Sequence, residues 1–190
     1  MSSNERTDKR VIKTKDSLKR ALVTLLSKNK ENKLENISII TLTDEAGINR
    51  KTFYLHYKDV LSVYKEIVTN LQDKLVNAIN SMSLETIYSD QAIFNVLYLI
   101  KNDEFVSSII KDSVYSRKAL FTIENIIVET IYERYLQAQP ANPKLVLEPL
   151  QFNVYGCLKV FYNYLRSKED FDLKTLASRL ANFTYKIRDD

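Results

Sequence analysis

One cysteine, one histidine, two glycines and three prolines are all that this 190-residue chain holds of the residue types that build disulfides, catalytic dyads and loops. The single Cys157 excludes an intramolecular disulfide and cannot by itself make a thiolate metal cluster, which fits a reducing cytosol. His56 has no partner at metal-ligand spacing. With no glycine-rich phosphate loop either, nucleophilic, redox and nucleotide chemistry lack their usual residues, and no enzyme, metal or cofactor is expected. The first residues lack the apolar core of a signal peptide, and no run approaches the roughly 20 apolar residues that span a bilayer. The expectation is a cytoplasmic protein that does not enter a membrane.

The same scarcity of Gly and Pro leaves few places to break a helix, and 45% hydrophobic residues are enough for a core. The chain is expected to be all-α. Its net charge of +4 is unevenly spread: residues 1–60 carry 13 Lys or Arg against 8 Asp or Glu, and residues 61–190 carry 15 against 16. The basic excess therefore lies in the N-terminal third, where it would attract a polyanion.

Leu18, Ala21, Leu22, Leu25 and Leu26 recur at helical spacing and mark a first helix over 14–28, followed by a polar connection at 29–36. Ser38 can cap a short helix that turns Ile39, Leu42 and Ala46 inward. Gly47 ends it, and Asn49 caps a third helix over about 50–57 with Phe53 and Tyr57 on its core side. Asp59 can cap a long fourth helix with a stripe of Leu61, Tyr64, Val68, Leu71 and Leu75. Five further helices are expected over 90–101, 104–112, 116–138, 144–167 and 173–187. Pro140 and Pro143 mark a break, and Pro149 falls in the first turns of the helix after it.

Two short helices joined at a glycine, the second basic and aromatic, form a helix-turn-helix pattern. Arg50 and Lys51, at the helix start, can reach guanine or phosphate; Thr52 can bond to a base or the backbone; Leu55 suits a thymine methyl. Tyr54 and His56 suit phosphate, Ser38 and Thr43 the opposite strand, and Asn49 and Lys58 complete the DNA-contact set. Arg6, Lys9, Arg10, Lys13 and Lys15 form a basic arm or first-helix edge.

The segment from Ile37 to Tyr57 closely resembles the signature of the tetracycline-repressor-like (TetR/AcrR) family of transcription regulators, through Ala46-Gly47, Thr52-Phe53-Tyr54 and His56-Tyr57. The resemblance covers about residues 10–68. A looser similarity, at Tyr155-Gly156-Cys157-Leu158, Tyr164-Leu165 and Leu176-Ala177, points to a subgroup related to dihydroxyacetone kinase regulators. The resemblance implies an Ω-shaped homodimer in which three N-terminal helices bind a palindromic DNA operator and Thr52, Tyr54 and His56 contact it. A helical C-terminal domain would dimerise and bind a small effector. Domains are expected at 1–58 and 59–190. Val60 stands where the family commonly has a phosphate-binding lysine, and Tyr164 where it usually has tryptophan. The function implied is a ligand-responsive regulator, in most such proteins a repressor. The alternative is a co-regulator of the same fold acting through a protein partner.

The C-terminal part is rich in aromatics, which helical spacing assigns to core or interface. The last two helices, through Phe152, Tyr155, Gly156, Lys159, Tyr162, Leu176, Leu180 and Phe183, are expected to form a two-fold four-helix interface. Gly156 inside a long helix suggests that another helix comes close. Tyr98, Tyr115, Phe121 and Tyr132 are the candidates for an effector pocket, with Cys157 nearby; the effector itself is not legible.

Overall fold

Leu18, Leu22 and Leu26 are fully buried along one side of α1 (Ser3–Lys28), and that stripe is the seed around which the N-terminal helices assemble. The computed structural model describes residues 3–28, 34–112, 115–138, 144–167 and 172–188. The polar link at 29–33, the Pro140 and Pro143 break and the Arg6 side chain lie outside what it describes. Residues Leu34–Asn36 form a 3-10 turn in which Leu34 is buried, so the connection after α1 ends in the core instead of staying polar to its end.

Next come α2 (Ile39–Ala46), α3 (Arg50–Tyr54) and α4 (Val60–Asn80). They are followed by α5 (Asp90–Asn102), α6 (Glu104–Asp112), α7 (Ser116–Gln137), α8 (Lys144–Arg166) and α9 (Leu173–Arg188). The described residues contain no strand. No helix among them is long and apolar enough to cross a membrane.

The buried face of α4 is made by Val60, Val63, Tyr64, Ile67, Leu71, Leu75 and Ile79. Leu61, expected in that stripe, is largely exposed because the helix turns its Val60, Val63 and Ile67 side to α1 and its neighbours. Pro149 does not delay α8: the helix starts at Lys144 with the proline inside it. The carbonyl left without a donor is that of Leu145, in the first turn, where the chain is exposed.

α1 packs on α2, α6 and α4; α4 on α5 and α7; α7 on α8; and α9 chiefly on α5. One hydrophobic core runs continuously from Leu18 to Leu176. Polar ties join its N-terminal helices to the rest. Arg20 grips Glu104 with two hydrogen bonds of 2.6 and 2.8 Å, linking α1 to α6. The Tyr115 hydroxyl accepts from the Leu34 N–H at 2.7 Å and donates to Glu35 at 2.8 Å. Glu66 on α4 receives Lys15 at 3.0 Å and Lys19 at 2.9 Å from α1. Arg134 on α7 donates to the Ile79 and Met82 carbonyls, closing the C-terminal end of α4.

Candidate nucleic-acid interface

The turn between α2 and α3 is fixed by three local interactions. Ser38 Oγ accepts from the Thr41 N–H at 3.0 Å and starts α2. Gly47 takes φ 64° and ψ 33°, the left-handed region that closes a helix at little cost only for a residue without Cβ. Asn49 Oδ1 then accepts from the Lys51 N–H at 2.8 Å and starts α3 two residues later. Phe53 anchors α3 in the core with Tyr57 beside it, ring centroids 5.9 Å apart, while Tyr54 meets Phe53 edge-on at 5.5 Å and stays mostly exposed.

The regular helix ends at Tyr54, three residues short of the expected Tyr57. Leu55, His56 and Tyr57 continue as tight turns on the Thr52 and Phe53 carbonyls. Asp59 follows almost at once, its carboxylate accepting from the Ser62 N–H at 2.7 Å and the Ser62 hydroxyl at 2.5 Å. Those two bonds hold the Asp59 carboxyl below its ordinary pKa and cap α4 with negative charge at its N-terminus.

Of the residues expected to meet DNA, Ser38, Asn49, Arg50, Lys51, Tyr54, Leu55 and Lys58 are exposed on this edge, and Thr52 and His56 are half-buried. Thr43 is a correction. It is 1% exposed, and its hydroxyl donates back to the Ile39 and Ile40 carbonyls at 2.8 and 3.0 Å, so the side chain is spent inside α2. Lys15 is likewise committed to Glu66, and its ammonium also lies 5.4 Å from the Tyr57 ring centre. Lys9, Arg10 and Lys13 remain exposed on the outer part of α1. Ile40, unassigned from sequence, is exposed on the outer side of α2. It stands in a run where Ile37, Ile39, Ile40 and Leu42 are all apolar, and only counting from the Ser38 cap tells which of them points out.

Away from this edge, none of Tyr98, Tyr115, Phe121 and Tyr132 lines the apolar cavity between α4, α5, α7 and α8. Tyr98 is exposed against Phe94, Tyr115 is buried on Leu34 and Glu35, Phe121 is exposed, and Tyr132 is half-buried on α7. That cavity measures about 60 Å³. Ile79, Met82, Leu97, Ile127, Val154 and Cys157 are among its walls; Asn153 brings an amide, and no charged residue lines it. Burial pushes the Cys157 thiol up to about 11, so it is a neutral wall group and not a thiolate. Spacing gave each aromatic its helix face but not the helix opposite.

The expected interface residues also divide. Phe152, Tyr155, Lys159 and Phe183 are exposed and Tyr162 and Leu180 half-buried, but Leu176 is 3% exposed because α9 packs that face on α5 of the same chain. Among the described residues no neighbour lies within 4 Å of a Cβ built on Gly156, so none of them crowds that point. A groove of about 500 Å³ between α7 and α8 is walled by Phe121, Tyr155 and Tyr162 with Arg117, Glu124 and Lys159.

No protein-family model matches the sequence, and no curated protein matches it. Among solved structures, a TetR transcriptional regulator from Streptococcus agalactiae 2603V aligns with TM-score 0.62 and 18% identity, covering 96% of this chain and 99% of that one. The fold is TetR-like. The dihydroxyacetone kinase operon activator DhaS aligns with TM-score 0.51 and 16% identity over 92% of this chain and 95% of its own. The fatty acid degradation regulator FadR from Bacillus halodurans gives 0.51 and 15% over 90% and 93%. Within this TetR-like fold Val60 is buried at the start of α4, and Lys58 is the exposed cation beside it. Tyr164 stacks on Phe161 and accepts from Lys101 at 2.9 Å, which ties α8 to α5.

Proposed function

We propose that the chain is a ligand-responsive, DNA-binding transcription regulator that acts as a homodimer on a palindromic operator, repressing by occupying it. The observation that carries this is the α2–α3 turn. Two caps and a left-handed glycine set the direction of α3, Phe53 seats its inner side in the core, and Arg50, Lys51, Tyr54 and Leu55 are left exposed together on its outer side. A helix placed so, with cations at its start and a phenol beside them, fits the major groove with phosphates on both flanks. The neighbours of the same fold named above are regulators, which supports the reading, and one of them is an operon activator.

Selection from a random duplex pool tests the proposal: a palindromic motif is expected, and recovery of none at any salt concentration would overturn it. Tyr54→Ala should weaken all bound sequences alike. Arg50→Ala should relax preference at one position, by ~1 to 3 kcal/mol if it reads a base. Buried Val60 in place of a phosphate-binding lysine favours the second reading, a co-regulator using a protein partner, which predicts a shallow salt dependence.

In the proposed mechanism the cavity between α4, α5, α7 and α8 receives the effector. At about 60 Å³ it holds little more than water, so an effector must bind a conformation in which these helices stand further apart. Such a ligand shifts the dimer between two spacings of its reading helices. The ties from Arg20 to Glu104, from Tyr115 to Glu35 and from Lys15 and Lys19 to Glu66 are among the physical links between the two regions.

A further inference from the structure

Large aliphatic side chains are out of place on a surface built to meet a polyanion, and this edge carries two. Leu55 is 78% exposed at the end of α3, and Ile40 is 50% exposed in the first turn of α2. Ile40 lies one turn before Asp44, which walls a shallow depression together with Arg50, Lys51 and Tyr54. The outer stripe of α2 and the start of α3 therefore present one continuous surface. Leu42 and Thr43 already fill the inward positions of α2, so packing makes no use of Ile40.

We propose that Ile40 and Leu55 read thymine methyl groups, making A·T pairs obligatory at two positions of each half-site. The inference rests on the DNA-binding reading above and adds what the duplex must contain. The C5-methyl of thymine is the apolar group on the major-groove edge, and it is what an aliphatic side chain can recognise there. Opposite cytosine, the same side chain would cover an amino donor and give it no acceptor, which penalises the wrong base as well as rewarding the right one. Arg50, Lys51 and Lys58 are exposed on the same helix-turn-helix segment, close in the chain to Leu55, and this favours a phosphate-flanked groove over an apolar protein surface as the occupant.

The test uses the full chain and duplexes selected from a random pool, with each thymine replaced in turn by deoxyuridine, which removes only the methyl. At two positions per half-site the wild type should lose about fourfold in affinity for each methyl removed. Leu55→Ala should make uracil and thymine equivalent at one position, and Ile40→Ala at the other. Both variants should melt like the wild type, and a clearly lowered melt would show a packed side chain and overturn the assignment. Uracil-insensitive thymines in the wild type, or sensitivity that survives both substitutions, would overturn the methyl assignment and leave DNA binding intact. Recovery of no duplex would overturn the DNA reading and this inference with it.

Discussion

At Gly47 the backbone sits at φ 64°, and a Cβ placed there would meet nothing within 4 Å. Any cost of a side chain is therefore conformational and not steric. Gly47→Ala should lower stability by about 1 to 2 kcal/mol, and Gly47→Asn by less, because Asn visits the left-handed region more readily. Thermal melts of the two variants check the order; equal losses would show that crowding governs the site. The role of this glycine was legible from sequence because a short helix on each side left no other place for the chain to turn. Thr43 was not legible. A threonine one residue after Leu42 could as well point to DNA, and only the geometry shows its hydroxyl returning to the Ile39 and Ile40 carbonyls.

Between elements, the joint of α1 and α4 is held by Glu66. Burial raises the pKa of this carboxyl, but hydrogen bonds from Lys19 and Lys15 outweigh burial and hold it below the ordinary 4.5. The folded state then binds fewer protons than the unfolded chain. Its contribution is fully present above about pH 4.5 and is lost as pH falls through the lower folded value. Glu66→Gln should flatten the acid limb of a melting-temperature profile, and an unchanged limb would remove Glu66 from the account. Burial, with the Glu66 carboxylate beside it, also pushes the Tyr57 hydroxyl far up, so Tyr57 stays neutral through this range. Helix existence was well read because runs such as Leu18 to Leu26 and Ala119 to Ile131 bury regular faces. Pairing across helices was poorly read: nothing in one dimension says that Lys15 meets Glu66 or that Arg20 meets Glu104.

For the whole molecule, two surfaces decide how the proposed function would work. The cavity wall is apolar except for Asn153, Cys157 and Tyr88, and no Asp, Glu, Lys, Arg or His lines it. A charged ligand would lose its hydration and find no counter-ion there. Among chain-matched probes, 1-octanol should therefore raise the melting temperature and octanoate and octylamine should not. The chain's methionines are Met1 and Met82, and Met82 lines the cavity, so its methyl resonance should shift with the alcohol alone. A shift with octanoate would show a cation that the cavity wall lacks.

The proposed dimer turns on α8. Leu145, Phe152, Gly156, Lys159 and Asn163 form one stripe along that helix, with Tyr155 beside it and Phe121 across the α7–α8 groove. Exposed aromatics on such a stripe mark a surface that another surface covers, and Arg117, Glu124 and Lys159 supply both charge signs that a two-fold pairing of identical faces needs. Burial raises the Glu124 pKa, so its pairing with a partner's cation would recover part of that cost. Since α9 spends Leu176 and Ala177 on α5, the contact should centre on α7 and α8 in place of the last two helices. Phe152→Glu combined with Tyr155→Glu should give a folded monomer in analytical ultracentrifugation at micromolar concentration. Gly156→Ala separates the two roles of that glycine. The open space around it predicts a protomer helix about 1 kcal/mol more stable, whereas a partner helix lying across it would make the same methyl weaken the dimer. A variant that gains stability when diluted to monomer and dissociates at higher concentration than the wild type would place the two-fold axis at Gly156, and one that gains in both respects would move it elsewhere.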